Sequence, residues 1–177
     1  EEALPELLSS LPAKSSWPTI TGWCRMDADG YHDNGMALVD EAAWNALPAP
    51  DSSEFFNWER PFIQIETSRG CPHDCAFCTS CRTGRIRWRD LDDVRAQLHK
   101  AQERGIEEIR VLDRTFNATP TKAIERLTIF RDEFPQLRFH LEIHPGFLPD
   151  ELKQVLAAYP AGKLHLEVGL QTTHREA

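Results

Sequence analysis

From position 61 onward the chain alternates between two hydrophobic rhythms, and this alternation restricts its fold more than any other feature. Segments with a two-residue repeat, 62–67, 109–113, 138–144 and 164–171, are separated by segments with a helical repeat, 91–104, 121–134 and 149–158. Strand, helix, strand in that order predicts parallel strands joined by right-handed crossovers, and so an α/β fold. Gly105, Gly146 and Gly162 fall between elements, where helix stops and turns belong.

The strands have an unusual composition. Phe139, Leu141 and Ile143 share one face of their strand, while His140, Glu142 and His144 share the other. The segment 164–171 repeats this, with His165, Glu167, Gly169 and Gln171 on its second face, and Gln64 and Glu66 follow suit in the first strand. A sheet covered on both sides reads as continuous apolar runs, and a closed barrel fills its interior with Val, Ile and Leu. These strands do neither. One face seats helices, and the other suits the wet chamber of an open or partial barrel; the competing reading is a sheet face simply exposed to water.

Residues 1–58 are expected to form a separate connector. Positions 4–11 make a short amphipathic turn or helix, segments 19–25 and 31–33 form a hairpin around Asp27-Ala28-Asp29-Gly30, and Leu47-Pro48-Ala49-Pro50 has linker composition. The core is expected over 59–177. The hydrophobic content of 41% and charged content of 27% are those of a folded globular chain, and the net charge of -8 argues against a broad nucleic-acid surface. Arg82, Arg85, Arg87 and Arg89 make a local basic patch or a solvated face. No apolar run has membrane-spanning length, and the opening residues lack the layout of a signal peptide, so a cytoplasmic protein is expected. The chain starts with Glu and ends in what reads as the first turn of an unfinished helix, so further sequence is expected on both sides.

Four of the five cysteines fall between Cys71 and Cys81, a cluster that suits metal ligation better than a disulfide framework. Cys24 stands apart and reads as a small packing residue or surface thiol. The loop Gly70-Cys71-Pro72-His73-Asp74-Cys75-Ala76-Phe77-Cys78 follows the first strand, at the carboxyl edge where αβ sheets build their sites. Cys75 and Cys78 fit one turn, with side chains about 5 to 6 Å apart. A [4Fe-4S] cube normally takes four thiolates, so a set of three leaves one iron free to bind a ligand.

The pattern Cys71-x3-Cys75-x2-Cys78, with Phe77 before the third cysteine, resembles the signature of radical S-adenosylmethionine (SAM) enzymes. The resemblance implies a partial (β/α) barrel, here truncated after about four βα units and preceded by the small hairpin region. It implies a [4Fe-4S] cluster on Cys71, Cys75 and Cys78, with SAM chelated to the open iron and cleaved reductively to a 5'-deoxyadenosyl radical. It places Phe77 beside the adenine, with core packing as the alternative. Leu112-Asp113-Arg114-Thr115-Phe116-Asn117 resembles the second-strand segment that contacts SAM, although the common Gly-Gly-Glu is replaced; Asp113, Thr115 and Asn117 are SAM contacts or turn and cap residues. Glu167 to Gln171 resembles the fourth-strand motif, making Gln171, Glu167 and Glu142 further SAM candidates. His140, His144 and His165 are chamber proton donors or structural histidines. Glu66-Thr67-Ser68-Arg69-Gly70-Cys71 further resembles the subgroup with an upstream cobalamin-binding domain, which implies cobalamin and methyl transfer in the whole protein. An electron donor such as flavodoxin or ferredoxin is the implied partner.

Two other readings stay open on the residues alone. Cys71, Cys75, Cys78 and Cys81, or three of them with His73, could hold structural zinc. The chain could also be a scaffold fragment without activity.

Overall fold

The computed structural model describes residues 3–11, 17, 19–79 and 85–174. The chain separates into two compact units, 1–46 and 47–177. The prolines 48 and 50 and the residues up to 58 belong to the second unit; Phe56 and Trp58 pack on its core.

The first unit contains α1 (Ala3–Ser9), the antiparallel strands β1 (Cys24–Asp27) and β2 (Gly30–Asp33), and α2 (Glu41–Ala46). The hairpin turns at Ala28-Asp29, where the Asp27 carboxylate accepts from the Asp29 N–H at 3.0 Å and Gly30 takes φ +118°. Its first strand starts at Cys24 rather than at position 19, because Ile20 and Gly22 belong to turns closed by Trp17 and Ile20 carbonyls. Asp40 starts α2 by accepting from the Ala43 N–H at 2.8 Å.

The second unit is built on a parallel sheet of β3 (Phe62–Ile65), β6 (Glu108–Val111), β7 (Arg138–Ile143) and β8 (Leu164–Val168), in that spatial order. In sequence between β3 and β6 comes a separate two-residue antiparallel pair, β4 (Ser68–Arg69) with β5 (Arg87–Trp88). The crossovers are α3 (Leu91–Glu103), α4 (Pro120–Glu133) and α5 (Asp150–Ala157). Asp90 caps α3 through the Asp92 N–H at 3.0 Å, and Gly105 ends it at φ +74°. The fold is α/β, and among the described residues the sheet is open, with no barrel closure.

The two-faced pattern of the strands is realised in space. Ile63, Ile65, Ile109, Val111, Phe139, Leu141 and Ile143 are buried in one core with Val94, Leu98, Leu127 and Phe130 of the helices. Phe130 stacks on Phe139 with centroids 4.3 Å apart and planes at 2°. The opposite face carries Gln64, Arg110, His140 and His165, which register side by side across all four strands. Arg126 of α4 is fully buried, lies over the Trp88 ring at 4.5 Å and donates to the Arg89 carbonyl at 3.3 Å. No described helix is long and apolar enough to cross a membrane.

Candidate functional site

Every piece of the site lies at the carboxyl edge of the parallel sheet. After β3 the chain passes through Thr67 and Ser68, both buried, and enters the cysteine loop. Asp113, just beyond β6, anchors this entry: its carboxylate accepts from the Thr67 N–H at 2.7 Å, the Thr67 hydroxyl at 2.6 Å, the Ser68 N–H at 2.9 Å and the Ser68 hydroxyl at 2.7 Å. Complete burial pushes the Asp113 carboxyl above its ordinary range, against the pull of these four donors. Burial likewise lowers the Arg126 guanidinium, while the nearby Asp113 charge favours its protonated form.

Gly70 then turns the chain at φ +109°, packed against the Arg85 backbone, and delivers Cys71. The Cys78 N–H donates to the Cys75 carbonyl at 3.0 Å, so these two cysteines share one turn. The three cysteines are half-buried, in no disulfide, and line one cavity of about 500 Å³ together with His73, Phe77, Arg114, Thr115, Glu142, His144, Glu167 and Gln171. That volume lies within the range of small-molecule sites, roughly 300 to 1,000 Å³.

The remaining walls come from two loops that are themselves braced. Asn117, almost fully buried, donates from its amide to the carbonyls of His144 and Phe147, each at 2.8 Å, and accepts from the His144 N–H at 2.8 Å. The Phe116 N–H donates to the Glu142 carbonyl at 2.9 Å. His73 stacks on His144 at 4.5 Å and on Phe147 at 5.2 Å, joining the cysteine loop to the loop after β7. His144 Nδ1 accepts from the Gly146 N–H at 3.0 Å, which leaves its proton on Nε2. On the sheet, Glu142 and Glu167 are register partners, and Glu167 bonds His140 Nε2 at 2.9 Å while His140 stacks on His165 at 4.4 Å.

The residues singled out in the sequence therefore divide. Cys71, Cys75, Cys78, Phe77, Thr115, Glu142, Glu167 and Gln171 line the cavity. Asp113 and Asn117 stand behind it, with their polar atoms committed to the loops they hold. Phe77 is 71% exposed and is no core residue. His140 and His165 line a second hollow, farther down the sheet, with Arg110 and Arg138. Arg114 and Thr172 join the wall without having been singled out; Arg114 sits inside the Asp113 to Asn117 segment, the only signal that could have found it.

A tetrahedral zinc site with Zn–S near 2.3 Å requires sulfurs about 3.8 Å apart. Among the described residues no three His, Cys, Asp or Glu side chains converge closely enough to hold one metal ion, and Cys81 lies outside the described residues. A cube, which places each thiolate on a different iron, asks for a wider spread. The donor set, three thiols around a cavity with room for a ligand, fits a cluster with one open iron.

Comparison with known proteins agrees. The chain is 41% identical over 68 residues to an uncharacterized methyltransferase of Pyrococcus horikoshii, covering 37% of this chain and 15% of that protein. It is 25% identical over 162 residues to the ribosomal protein uS12 methylthiotransferase RimO of Opitutus terrae, covering 78% of this chain and 34% of that protein. The chain thus spans about a third or less of these relatives. Its fold is like that of TsrM from Kitasatospora setae, a radical SAM methyltransferase solved with tryptophan substrate and a SAM analog, at TM-score 0.69 and 20% identity over 99% of this chain and 37% of that one. The same enzyme has been solved with cobalamin and a [4Fe-4S] cluster. The family model of the radical SAM superfamily matches residues 65–177, well over half of the chain, and the chain belongs to that superfamily.

Proposed function

We propose that the protein is a radical SAM enzyme that holds a [4Fe-4S] cluster on Cys71, Cys75 and Cys78 and binds SAM beside it, in the service of methyl transfer. The observation that carries this reading is the placement of three cysteines outside any disulfide, and only three described ones, on the wall of a single cavity at the carboxyl edge of a parallel sheet. When bound, the cluster supplies the electron that cleaves the sulfonium of SAM.

The chain's own residues do the holding. The thiolates of Cys71, Cys75 and Cys78 ligate iron, and Phe77 offers an exposed aromatic surface for the adenine. Glu142, Glu167 and Gln171 give the wall carboxylate and amide groups for the amino and ribose groups of SAM, whereas the Thr115 hydroxyl lies against the Cys71 sulfur. Asp113 and Asn117 hold the loops that carry these groups rather than SAM itself. The likeness to TsrM, solved with cobalamin, supports cobalamin as a further cofactor of the full-length protein; a cobalamin-binding domain upstream and flavodoxin or ferredoxin as electron donor rest on the sequence resemblance.

The test is anaerobic reconstitution of the full-length protein with iron and sulfide, followed by dithionite and SAM. The expected products are methionine and 5'-deoxyadenosine, absent in Cys75→Ala and retained in Cys81→Ala. Loss of metal binding in Cys81→Ala, with zinc in place of iron and sulfide in the reduced wild type, would refute the reading.

A further inference from the structure

The segment from Asp113 to Asn117 binds at three alternate positions to three different parts of the site. Asp113 grips the entrance of the cysteine loop through four hydrogen bonds, and Asn117 grips the loop after β7 through three. Thr115 lies between these two anchors, is 7% exposed, and has its hydroxyl 3.6 Å from the sulfur of Cys71, a hydrogen-bonding distance for an atom as large as sulfur. The same hydroxyl is 2.8 Å from the Arg114 carbonyl. With Cys71 as a thiol, the two contacts are compatible: Thr115 donates to the carbonyl and accepts from S–H. A thiolate has no proton to give. Once Cys71 ligates iron, the hydrogen bond left between these two atoms is donation from Thr115 to sulfur, for which the hydroxyl turns its single proton from the Arg114 carbonyl to the thiolate.

On the reading proposed above, we infer that Thr115 is a positioning residue of the cluster: its hydroxyl donates to the Cys71 thiolate and raises the reduction potential of the cluster. Hydrogen bonds to the sulfurs are among the levers that set iron–sulfur potentials, because a donor stabilises the electron-richer reduced state. The rigid mounting of Thr115 between two satisfied anchors keeps this donor in place without help from substrate or SAM.

The experiment uses the full-length protein, reconstituted anaerobically, as wild type, Thr115→Val, Thr115→Ala and Thr115→Ser. The one-electron couple of the cluster is titrated with dithionite and followed by electron paramagnetic resonance, and SAM affinity is measured on the same samples. The expected result is a shift to more negative potential in Val and Ala, return toward wild type in Ser, and SAM affinity within about twofold throughout, far below the tenfold that 1.4 kcal/mol represents. Unchanged potential in both Val and Ala overturns the inference, as does weakened SAM binding at unchanged potential, which would make Thr115 a SAM contact. Loss of the cluster from Val and Ala in chains that stay folded would make it an assembly determinant and also overturns it. If the wild type assembles no cluster, the proposed function fails first, and that outcome is distinct from all of these.

Discussion

Gly70→Ala should uncouple cluster assembly from the fold. Gly70 sits at φ +109°, a region that residues with a side chain occupy only at a cost of about 1 to 3 kcal/mol. A Cβ there would lie 2.6 Å from the Arg85 carbonyl oxygen and 3.3 Å from its carbon, so backbone rather than a flexible side chain has to move. Arg85 leads into β5, which pairs with β4 among the described residues, and moving it disturbs the Ser68–Trp88 and Arg69–Arg87 pairing at about 1 kcal/mol per hydrogen bond. The sum is about 2 to 4 kcal/mol, concentrated on the residue before Cys71. Gly105→Ala is the control: φ is +74°, nothing lies within 4 Å of the added methyl, and only a backbone cost of about 1 kcal/mol remains. Iron and sulfide per chain after anaerobic reconstitution should fall severalfold in Gly70→Ala and stay at wild type in Gly105→Ala, with urea midpoints lowered more in the first. Equal cluster content in the two variants would refute the reasoning.

Asp113→Ala strands four buried donors at about 1 to 2 kcal/mol each, enough to remove most of the stability of an ordinary domain, and should yield little soluble protein; Asp113→Asn should be markedly milder by urea unfolding. Because burial raises the Asp113 carboxyl above the 3.8 of an unburied one, its protonation favours the folded chain at low pH, and that contribution is lost as pH rises through the folded value. The stability of wild type relative to Asp113→Asn should therefore decline from pH 4 to pH 7, and an increase would contradict the sign. Arg126→Ala leaves a void against Trp88 and takes the donor from the Arg89 carbonyl and should cost about 3 kcal/mol, whereas Arg126→Met, which keeps the volume but not the charge or the donor, should recover only the packing part of that loss in the same unfolding assay.

Much of the second unit was legible because its signals are periodic. The apolar residues at 139, 141 and 143 and the polar ones between them assign both faces of β7, and the Cys71, Cys75 and Cys78 spacing points to residues that share one cavity wall. Features resting on a single long-range contact were not legible. Two-residue strands such as β4 and β5 carry no repeat, and their pairing depends on Gly70 letting the chains approach. Asp113 illustrates the same limit: its neighbours suggest a turn or a ligand contact, while its hydrogen bonds reach 46 residues back to Thr67. Helix α2, which buries Trp44, was not legible because six residues are too few to show a helical repeat.

The division of labour between the two sides of the sheet has an evolutionary consequence. Stability resides in the side chains packed beneath the helices, whereas Gln64, Arg110, His140 and His165 point the other way and contribute little to that packing. Substitutions along this row can remodel the second hollow, which Arg110, His140 and His165 line, while leaving the scaffold's folding free energy nearly untouched. A lineage built on such a sheet can explore new chemistry one position at a time, without first acquiring a reserve of stability to spend.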